Sequence, residues 1–333
     1  MSVIEAVHED HGATFREVGG RRVVDDYGRH ERTHRAVRNV AGVIEMGYDV
    51  REVTGPGRVS AVDAMVSAAV PDEDGAGCYG FILESGRIVA EATVYNAAAG
   101  DRLLVFLPPG RGSVLDDALD SENAESTDVT ADLAVFGVHG ASATEKIASV
   151  LSTGGGAPEP AHAFMRGSMG DEGVTVIASD APTGEEGYEV VCGVDDAPRV
   201  FDTLVNRGLN ATPFGYRTWE SLTLEAGTPL FDSELDGHER GVLADGDTNG
   251  QRLLGLTCEA VPEPGAAVQK AGEEMGFVTR TAVSPTLGKP IAFALADGEP
   301  DAVLIEEGPV PASHAELPFV EGGQRSERCP DTQ

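Results

Sequence analysis

The feature that most constrains the fold is a change of pattern in the last third of the chain. Residues 216–226 predict a helix with its apolar side chains on one face, and Gly227 ends it. From Arg252 onward, short strands are separated by Gly and Pro. A small all-β domain is therefore expected at the C-terminal end, after a larger part that mixes helices and strands.

Length and composition agree with more than one core. The chain has 333 residues, of which 41% are hydrophobic. No apolar run approaches the ~18–20 residues of a membrane span, and residues 1–15 do not resemble a signal peptide. The four cysteines are scattered without a CxxC pair. We therefore expect a cytoplasmic protein with reduced thiols and no metal site.

The charge of the chain is extreme. The formal net charge is −32, and only three of the 24 basic residues are lysines. Such self-repulsion loosens a fold in dilute buffer, whereas at ~1 M salt a Debye length of about 3 Å screens it. The acids are spread from Glu5 to Asp331, which favours a halophilic, salt-rich cytoplasm over an acidic tail or a nucleic-acid mimic. Nucleic-acid binding is disfavoured because phosphate contacts need a basic face.

The N-terminal part predicts alternating helices and strands. Asp26–Met46 has the apolar spacing of a helix that stops at Gly47. Gly77–Glu84 and Ile88–Tyr95 predict a hairpin joined through Ser85 and Gly86. The pair of residues 139–140, His-Gly, predicts a turn.

The second strand of this hairpin carries a candidate catalytic carboxylate. One face holds small or apolar residues, and the other holds Glu91 and Tyr95. A carboxyl desolvated there would be a useful proton acceptor, and the aromatic ring would line a pocket for a flat heterocycle. A solvated acidic face explains the same pattern, so both interpretations stay open.

A second candidate, Glu189, follows the turn TGEEG (183–187) in a predicted strand. If the sheet is covered on both sides, this buried acid needs hydrogen-bond donors, and a carboxylate accepts two parallel N–H groups well. The helix 216–226 adds Arg217, whose guanidinium suits an anionic or carbonyl group, and Trp219, which suits either ring stacking or the core. No GxGxxG motif opens a helix after a strand, and the chain has no GxSxG motif, so dinucleotide-binding and hydrolase functions are unsupported.

Several segments, in this order and spacing, resemble the glycine cleavage T-protein family of aminomethyltransferases and folate-binding relatives. They are TGEEGYE (183–189), GYRTWESLTLEAGTPL (215–230), GLTCE (255–259), SPTLGK (284–289) and PFV (318–320). The resemblance implies an α+β fold with the family's three-domain, cloverleaf-like architecture. Residues 1–245 would form two interleaved α/β folate-binding domains with a boundary near 125–160, residues 246–325 a C-terminal β-barrel, and residues 326–333 a tail.

The resemblance also implies a chemistry. It is a tetrahydrofolate-dependent one-carbon transfer, with tetrahydrofolate or a related pterin as ligand and a lipoyl-carrying H-protein as partner. Glu91 is implied as the catalytic residue at the acceptor nitrogen, and Glu189 as the anchor of the pterin. Tyr95, Arg217 and Trp219 are implied as further cofactor-binding residues.

Two departures from the family pattern concern the candidate site directly. The family's Asp pair is replaced by Ala90 and Glu91, and its two helix arginines by Trp219 and Thr223. Two alternatives therefore stand beside the aminomethyltransferase. One is a non-catalytic folate-binding accessory protein of the YgfZ type, whose K-G-C-Y-x-G-Q-E segment is absent. The other is a folate-dependent demethylase.

Overall fold

The computed structural model describes residues 2–119, 123–244 and 250–330. The chain divides into two compact units. The first comprises Met1–Asp180 and Glu186–Thr218, and the second comprises Ala181–Glu185 and Trp219–Gln333.

Helices and strands alternate in the first unit, whereas strands dominate the second. The helices α1 to α7 are Glu5–Asp10, His30–Asn39, Arg58–Asp63, Gly112–Ala118, Ala143–Val150, Ala197–Asn206 and Tyr216–Glu225. The strands β1 to β20 are Thr14–Val18, Arg21–Asp26, Gly42–Glu45, Asp49–Thr54, Ala76–Glu84, Arg87–Ala97, Arg102–Leu107, Glu125–Asp128, Leu133–His139, Leu151–Ser152, Phe164–Met169, Glu172–Ala178, Gly187–Gly193, Thr212–Pro213, Arg252–Cys258, Ala267–Lys270, Glu273–Val283, Pro290–Ala296, Ala302–Ile305 and Gly308–Ala315.

The first unit contains two main sheets. Seven strands pair in the order β10-β11-β12-β13-β9-β3-β14, and five pair in the order β5-β6-β7-β4-β8. All neighbours are antiparallel except β14 and β3. Apolar residues of α5 and α6 cover one face of the larger sheet, and apolar residues of α3 and α4 cover one face of the smaller sheet. The opposite faces carry the candidate site residues described below.

The predicted helix Asp26–Met46 is wrong in its second half. Helix α2 ends at Asn39, and Gly42–Glu45 is the buried strand β3, paired with β9 and β14. A Cβ on Gly42 would lie only 2.5 Å from a methyl of Val37 and 2.7 Å from the ring of Phe214. Pairing on both edges of β3, at a position that needs glycine, overrides the helical spacing of the sequence.

The second unit contains the predicted all-β domain as a closed six-stranded barrel, β15-β18-β17-β16-β19-β20. The contacts between this barrel and α7 involve three of the segments that the sequence analysis named. The fully buried Glu225 at the end of α7 accepts hydrogen bonds from the Ser284 hydroxyl and from the amide and hydroxyl of Thr286, the last two at 3.1 and 2.8 Å. Its carbonyl accepts from the amide of Val320 at 3.0 Å. The LEAG, SPTLG and PFV segments therefore meet at one residue.

The observed architecture is α+β with a small C-terminal barrel, as the sequence predicted. The longest helices, α2, α6 and α7, have ten residues each. In the described ranges, no helix combines the length and the apolar character that a membrane crossing requires.

Candidate functional site

Glu189 lies on the central strand β13, opposite Ile177 of β12 and Gly137 of β9. Its side chain is only 8% exposed. The hydroxyl of Tyr48, which immediately precedes β4, donates a 2.8 Å hydrogen bond to Glu189 Oε1. The larger sheet thus presents a buried acid that is held by a residue adjoining the smaller sheet.

A row of aromatic rings leads from Glu189 to strand β6. The Tyr48 ring lies 5.6 Å from that of Phe106, between centroids, and Phe106 meets Tyr95 edge-on at 5.1 Å. Phe164 of β11 also meets Tyr95 edge-on, at 6.1 Å. These four rings, Tyr48, Phe106, Tyr95 and Phe164, form what we call the aromatic wall. Tyr95, Phe106 and Phe164 are buried, and their edge-on contacts are a common arrangement of aromatic side chains.

Glu91 lies on the same face of β6 as Tyr95, four residues away, which corresponds to ~13 Å along a strand. Its side chain is half-buried, and the Tyr79 hydroxyl donates to Glu91 Oε2 at 2.8 Å. Phe81 lies directly across from Glu91 and meets the Tyr79 ring edge-on at 5.5 Å. The carboxylate therefore has a defined partner, unlike a freely solvated strand acid.

A β-bulge brings Tyr79 to this face. The hairpin begins with Glu84 opposite Arg87 and Leu83 opposite Ile88, but Ile82 then pairs with Ala90. The extra residue on β6, Val89, shifts the register by one, and every side chain beyond it changes partner. Without the bulge, Gly80 would lie opposite Glu91, and Tyr79 would lie opposite Ala92 on the other face.

His139 is not in a turn, contrary to the sequence prediction. It ends strand β9, pairs with Gly187 and Gly42, and is 1% exposed. A Cβ on Gly187 or Gly137 would lie 2.6 or 2.7 Å from a ring nitrogen of His139. The imidazole therefore lies close over these glycines, on the face that carries Glu189. A histidine followed by a glycine is a turn signal, so the sequence did not indicate that strand β9 extends as far as His139.

The two helix residues predicted for the cofactor lie in different settings. Arg217 is 61% exposed in the first unit, with its guanidinium 3.7 Å from the carboxylate of Asp26. Trp219 belongs to the second unit and is 5% exposed. The structure therefore brings Tyr95 and Glu189 together through the aromatic wall, with Glu91 on the same strand face as Tyr95, while Arg217 has an acidic partner elsewhere in the first unit.

An arginine of the barrel, Arg280, contacts the end of helix α7. Arg280 of β17 donates to the Thr223 hydroxyl and the Thr228 carbonyl, both at 2.7 Å, and to the Glu220 carbonyl at 3.2 Å. Its guanidinium lies 3.3 Å from the carboxylate of Glu234, and both side chains are buried. Burial lowers the pKa of Arg280 and raises that of Glu234, while each charge opposes the shift of the other. The contacts of Arg280 thus fix the end of α7 within the second unit.

Sequence reasoning missed Tyr48, Tyr79, Phe106 and Phe164, since their roles depend on strand register and on pairs distant in sequence. Among the described residues, no group of three or more His, Cys, Asp or Glu side chains could hold a metal ion. The site as described therefore offers carboxylates, tyrosine hydroxyls and aromatic rings as its chemical groups.

Comparison with known proteins adds to this geometry. Residues 4–245 match the family described as GCVT N-terminal domain, and residues 251–321 match the glycine cleavage T-protein C-terminal barrel domain. The chain is 31% identical to an aminomethyltransferase of Saccharopolyspora erythraea, covering 95% of this chain and 96% of the relative. It is 29% identical to a probable aminomethyltransferase of Halobacterium salinarum, covering 96% and 98%.

A solved structure shows the same fold. The chain superposes on the crystal structure of glycine cleavage system aminomethyltransferase T from Bartonella henselae with a TM-score of 0.84. The two chains are 18% identical, and the superposition covers 97% of this chain and 98% of the other.

Proposed function

The chain belongs to the glycine cleavage T-protein family, and on that premise we propose that it is a tetrahydrofolate-dependent aminomethyltransferase. Tetrahydrofolate is the acceptor of the one-carbon unit, and a lipoyl-carrying H-protein is the donor. In this reaction the carbon–sulfur bond to the lipoyl thiol and the carbon–nitrogen bond to the amino group both break, and the carbon becomes bonded to two folate nitrogens as methylenetetrahydrofolate. The two protons that these nitrogens lose leave with ammonia and with the carrier thiol.

The observation that supports this proposal most is the contact chain from Glu189 to Tyr95. A buried carboxylate, the Tyr48 hydroxyl at 2.8 Å and an adjoining row of rings match what a pterin offers, namely a flat ring edged by an amino group and N–H donors. A carboxylate has about four acceptor sites, so it can accept from Tyr48 and from two N–H groups together. We assign to Glu189 the binding of the pterin edge and to Tyr95 part of the wall against its ring.

Glu91 has a different role in the proposal. Its carboxylate is half-buried on the same strand face as Tyr95 and is oriented by a hydroxyl. We assign to it the positioning and deprotonation of the acceptor nitrogen, which needs a carboxylate that is ionised and held in place. Arg217 is retained as a secondary folate-binding candidate.

The proposed setting is a salt-rich cytoplasm. The charge of −32 supports it, as does the likeness to a Halobacterium salinarum protein. Assays therefore belong at ~2 M KCl, where surface repulsion is screened.

The reaction is tested by measuring tetrahydrofolate-dependent ammonia release from an aminomethyl-loaded H-protein. The wild type should turn over, and Glu91→Gln should lower kcat about 100-fold or more because a neutral amide cannot accept the proton. Equal rates for Glu91→Gln and wild type would refute the catalytic role. Folate binding without turnover on this donor would favour the accessory protein, and turnover on a methylated amine instead would favour the demethylase.

A further inference from the structure

Glu91 differs from the family's aspartate by one methylene, and its carboxylate is held by a residue that the bulged hairpin supplies. Tyr79 lies opposite Thr93 and reaches diagonally to Glu91, which lies opposite Phe81. The distance from the Tyr79 hydroxyl to Glu91 Oε2 is 2.8 Å, a normal length for this bond. Phe81 packs edge-on against the Tyr79 ring and limits where that hydroxyl can lie.

From these contacts we infer that Tyr79 is a positioning residue, which orients the longer Glu91 side chain for the acceptor nitrogen. The inference rests on the proposed function. A glutamate has one more rotatable bond than an aspartate, and an unheld carboxylate would sample several positions. The hydroxyl selects one of them, and the bulge at Val89 is what places the hydroxyl within reach.

Two further features support a matched pair rather than an incidental contact. The bond joins an anionic acceptor to a neutral donor, which is the stronger class of side-chain hydrogen bond. The same arrangement recurs at the second proposed carboxylate, where the Tyr48 hydroxyl meets Glu189, also at 2.8 Å. Each proposed functional acid of the first unit thus has a tyrosine as its donor.

The inference makes a prediction that opposes the family pattern. The Glu91→Asp variant restores the family's residue type but withdraws the carboxylate by about 1 Å or more from the Tyr79 hydroxyl. We expect a lower kcat in this variant than in the wild type, because displacements of ~1 Å cost on the order of 100-fold. A Glu91→Asp variant as active as the wild type, or more active, would overturn the matched-length argument.

The direct test is a double-mutant cycle with Tyr79→Phe, Glu91→Gln and the double variant in the ammonia-release assay. Tyr79→Phe should lower kcat about 10-fold to 100-fold. Its KM for tetrahydrofolate, and its Kd for 5-formyltetrahydrofolate by calorimetry, should stay within about twofold, since the anchor at Glu189 is untouched. In the Glu91→Gln background, loss of the Tyr79 hydroxyl should have no further effect.

Tyr188→Phe is the matched control, because it removes a strand tyrosine hydroxyl whose 2.8 Å partner is Thr144, near the start of α5. It should leave kcat unchanged. A Tyr79→Phe protein with wild-type kcat would overturn the role of Tyr79 alone. The same follows if the kcat of the double variant is lower than that of Glu91→Gln by the full factor that Tyr79→Phe causes in the wild type. A wild type without turnover would overturn the proposed reaction and this role together.

Discussion

Replacing Ser284 by alanine should destabilise the second unit, because that hydroxyl connects α7 to the barrel. Ser284 is fully buried. Its hydroxyl donates to the Glu225 carboxylate and accepts from the amide of Leu287 at 2.9 Å. The substitution removes one oxygen, changes no charge and adds no heavy atoms.

The magnitude follows from these two bonds. A hydrogen bond to a charged buried group contributes about 1.5–3 kcal/mol, and an ordinary one contributes about 0.5–1.5 kcal/mol. Glu225 keeps its bonds from Thr286, and Leu287 is partly exposed, so water can replace the lost acceptor. We therefore expect Ser284→Ala to lower the free energy of unfolding by about 2–4 kcal/mol.

Tryptophan fluorescence during urea denaturation at ~2 M KCl measures the free energy of unfolding of the second unit. The chain has one tryptophan, Trp219, and it lies in the second unit. Ser313→Ala is the control, since Ser313 is exposed on β20 of the same barrel, and it should change the free energy by no more than about 0.5 kcal/mol. Indistinguishable midpoints for the two variants would refute the argument that Glu225 and Ser284 hold this junction.

Three further predictions concern buried charges and thiols. Glu234→Gln leaves the guanidinium of Arg280 buried without its anionic partner, and urea denaturation should show a loss of about 3–5 kcal/mol; a loss below about 1 kcal/mol would contradict this. Burial lowers the pKa of Lys146 to about 8, whereas the pKa of a lysine in the unfolded chain is about 10.4. The unfolded state then binds more protons between these pH values, so the stability of the wild type relative to Lys146→Met should rise across that window, and a fall would refute the assignment. Burial raises the pKa of Cys192 to about 12, so at pH 8 a thiol reagent should label the half-buried Cys78 first and Cys192 only on unfolding.

Local sequence signals predicted the elements whose ends are marked by glycine or other turn residues. The helix ending at Gly227, which has φ of +77°, lies within one residue of its predicted bounds, because only glycine adopts that conformation at little cost. The strand that follows TGEEG and the all-β character of the C-terminal part were likewise confirmed. These features depend on neighbours in sequence, so the sequence carries enough information to place them.

The features that were missed depend on partners far along the chain. Tyr48 and Glu189 are 141 residues apart, and no local pattern relates them. Strand β3 was not predicted, because its apolar residues have the spacing of a helix. Pairing with a neighbouring strand on each edge overrides that local pattern. Tyr79 was hidden by the bulge at Val89, since an unbroken hairpin register would place it on the wrong face.

The contact of Arg280 with helix α7 is a further feature that the sequence did not predict. The sequence shows Thr223 where the family has an arginine, which suggests a lost charge. In the structure, the guanidinium of Arg280, 57 residues later, donates a 2.7 Å hydrogen bond to the Thr223 hydroxyl. This contact is visible only once strand β17 and helix α7 are placed.

The most direct test of the central claim is calorimetric titration of tetrahydrofolate into the folded protein at ~2 M KCl, with Glu189→Gln alongside. The account predicts binding by the wild type that is weakened about 10-fold to 150-fold in Glu189→Gln, the equivalent of losing a charge-assisted hydrogen bond. Glu145→Gln, which neutralises an exposed acid on α5, should bind like the wild type. No binding by folded wild-type protein, or equal binding by Glu189→Gln, would contradict the assignment of the pterin site.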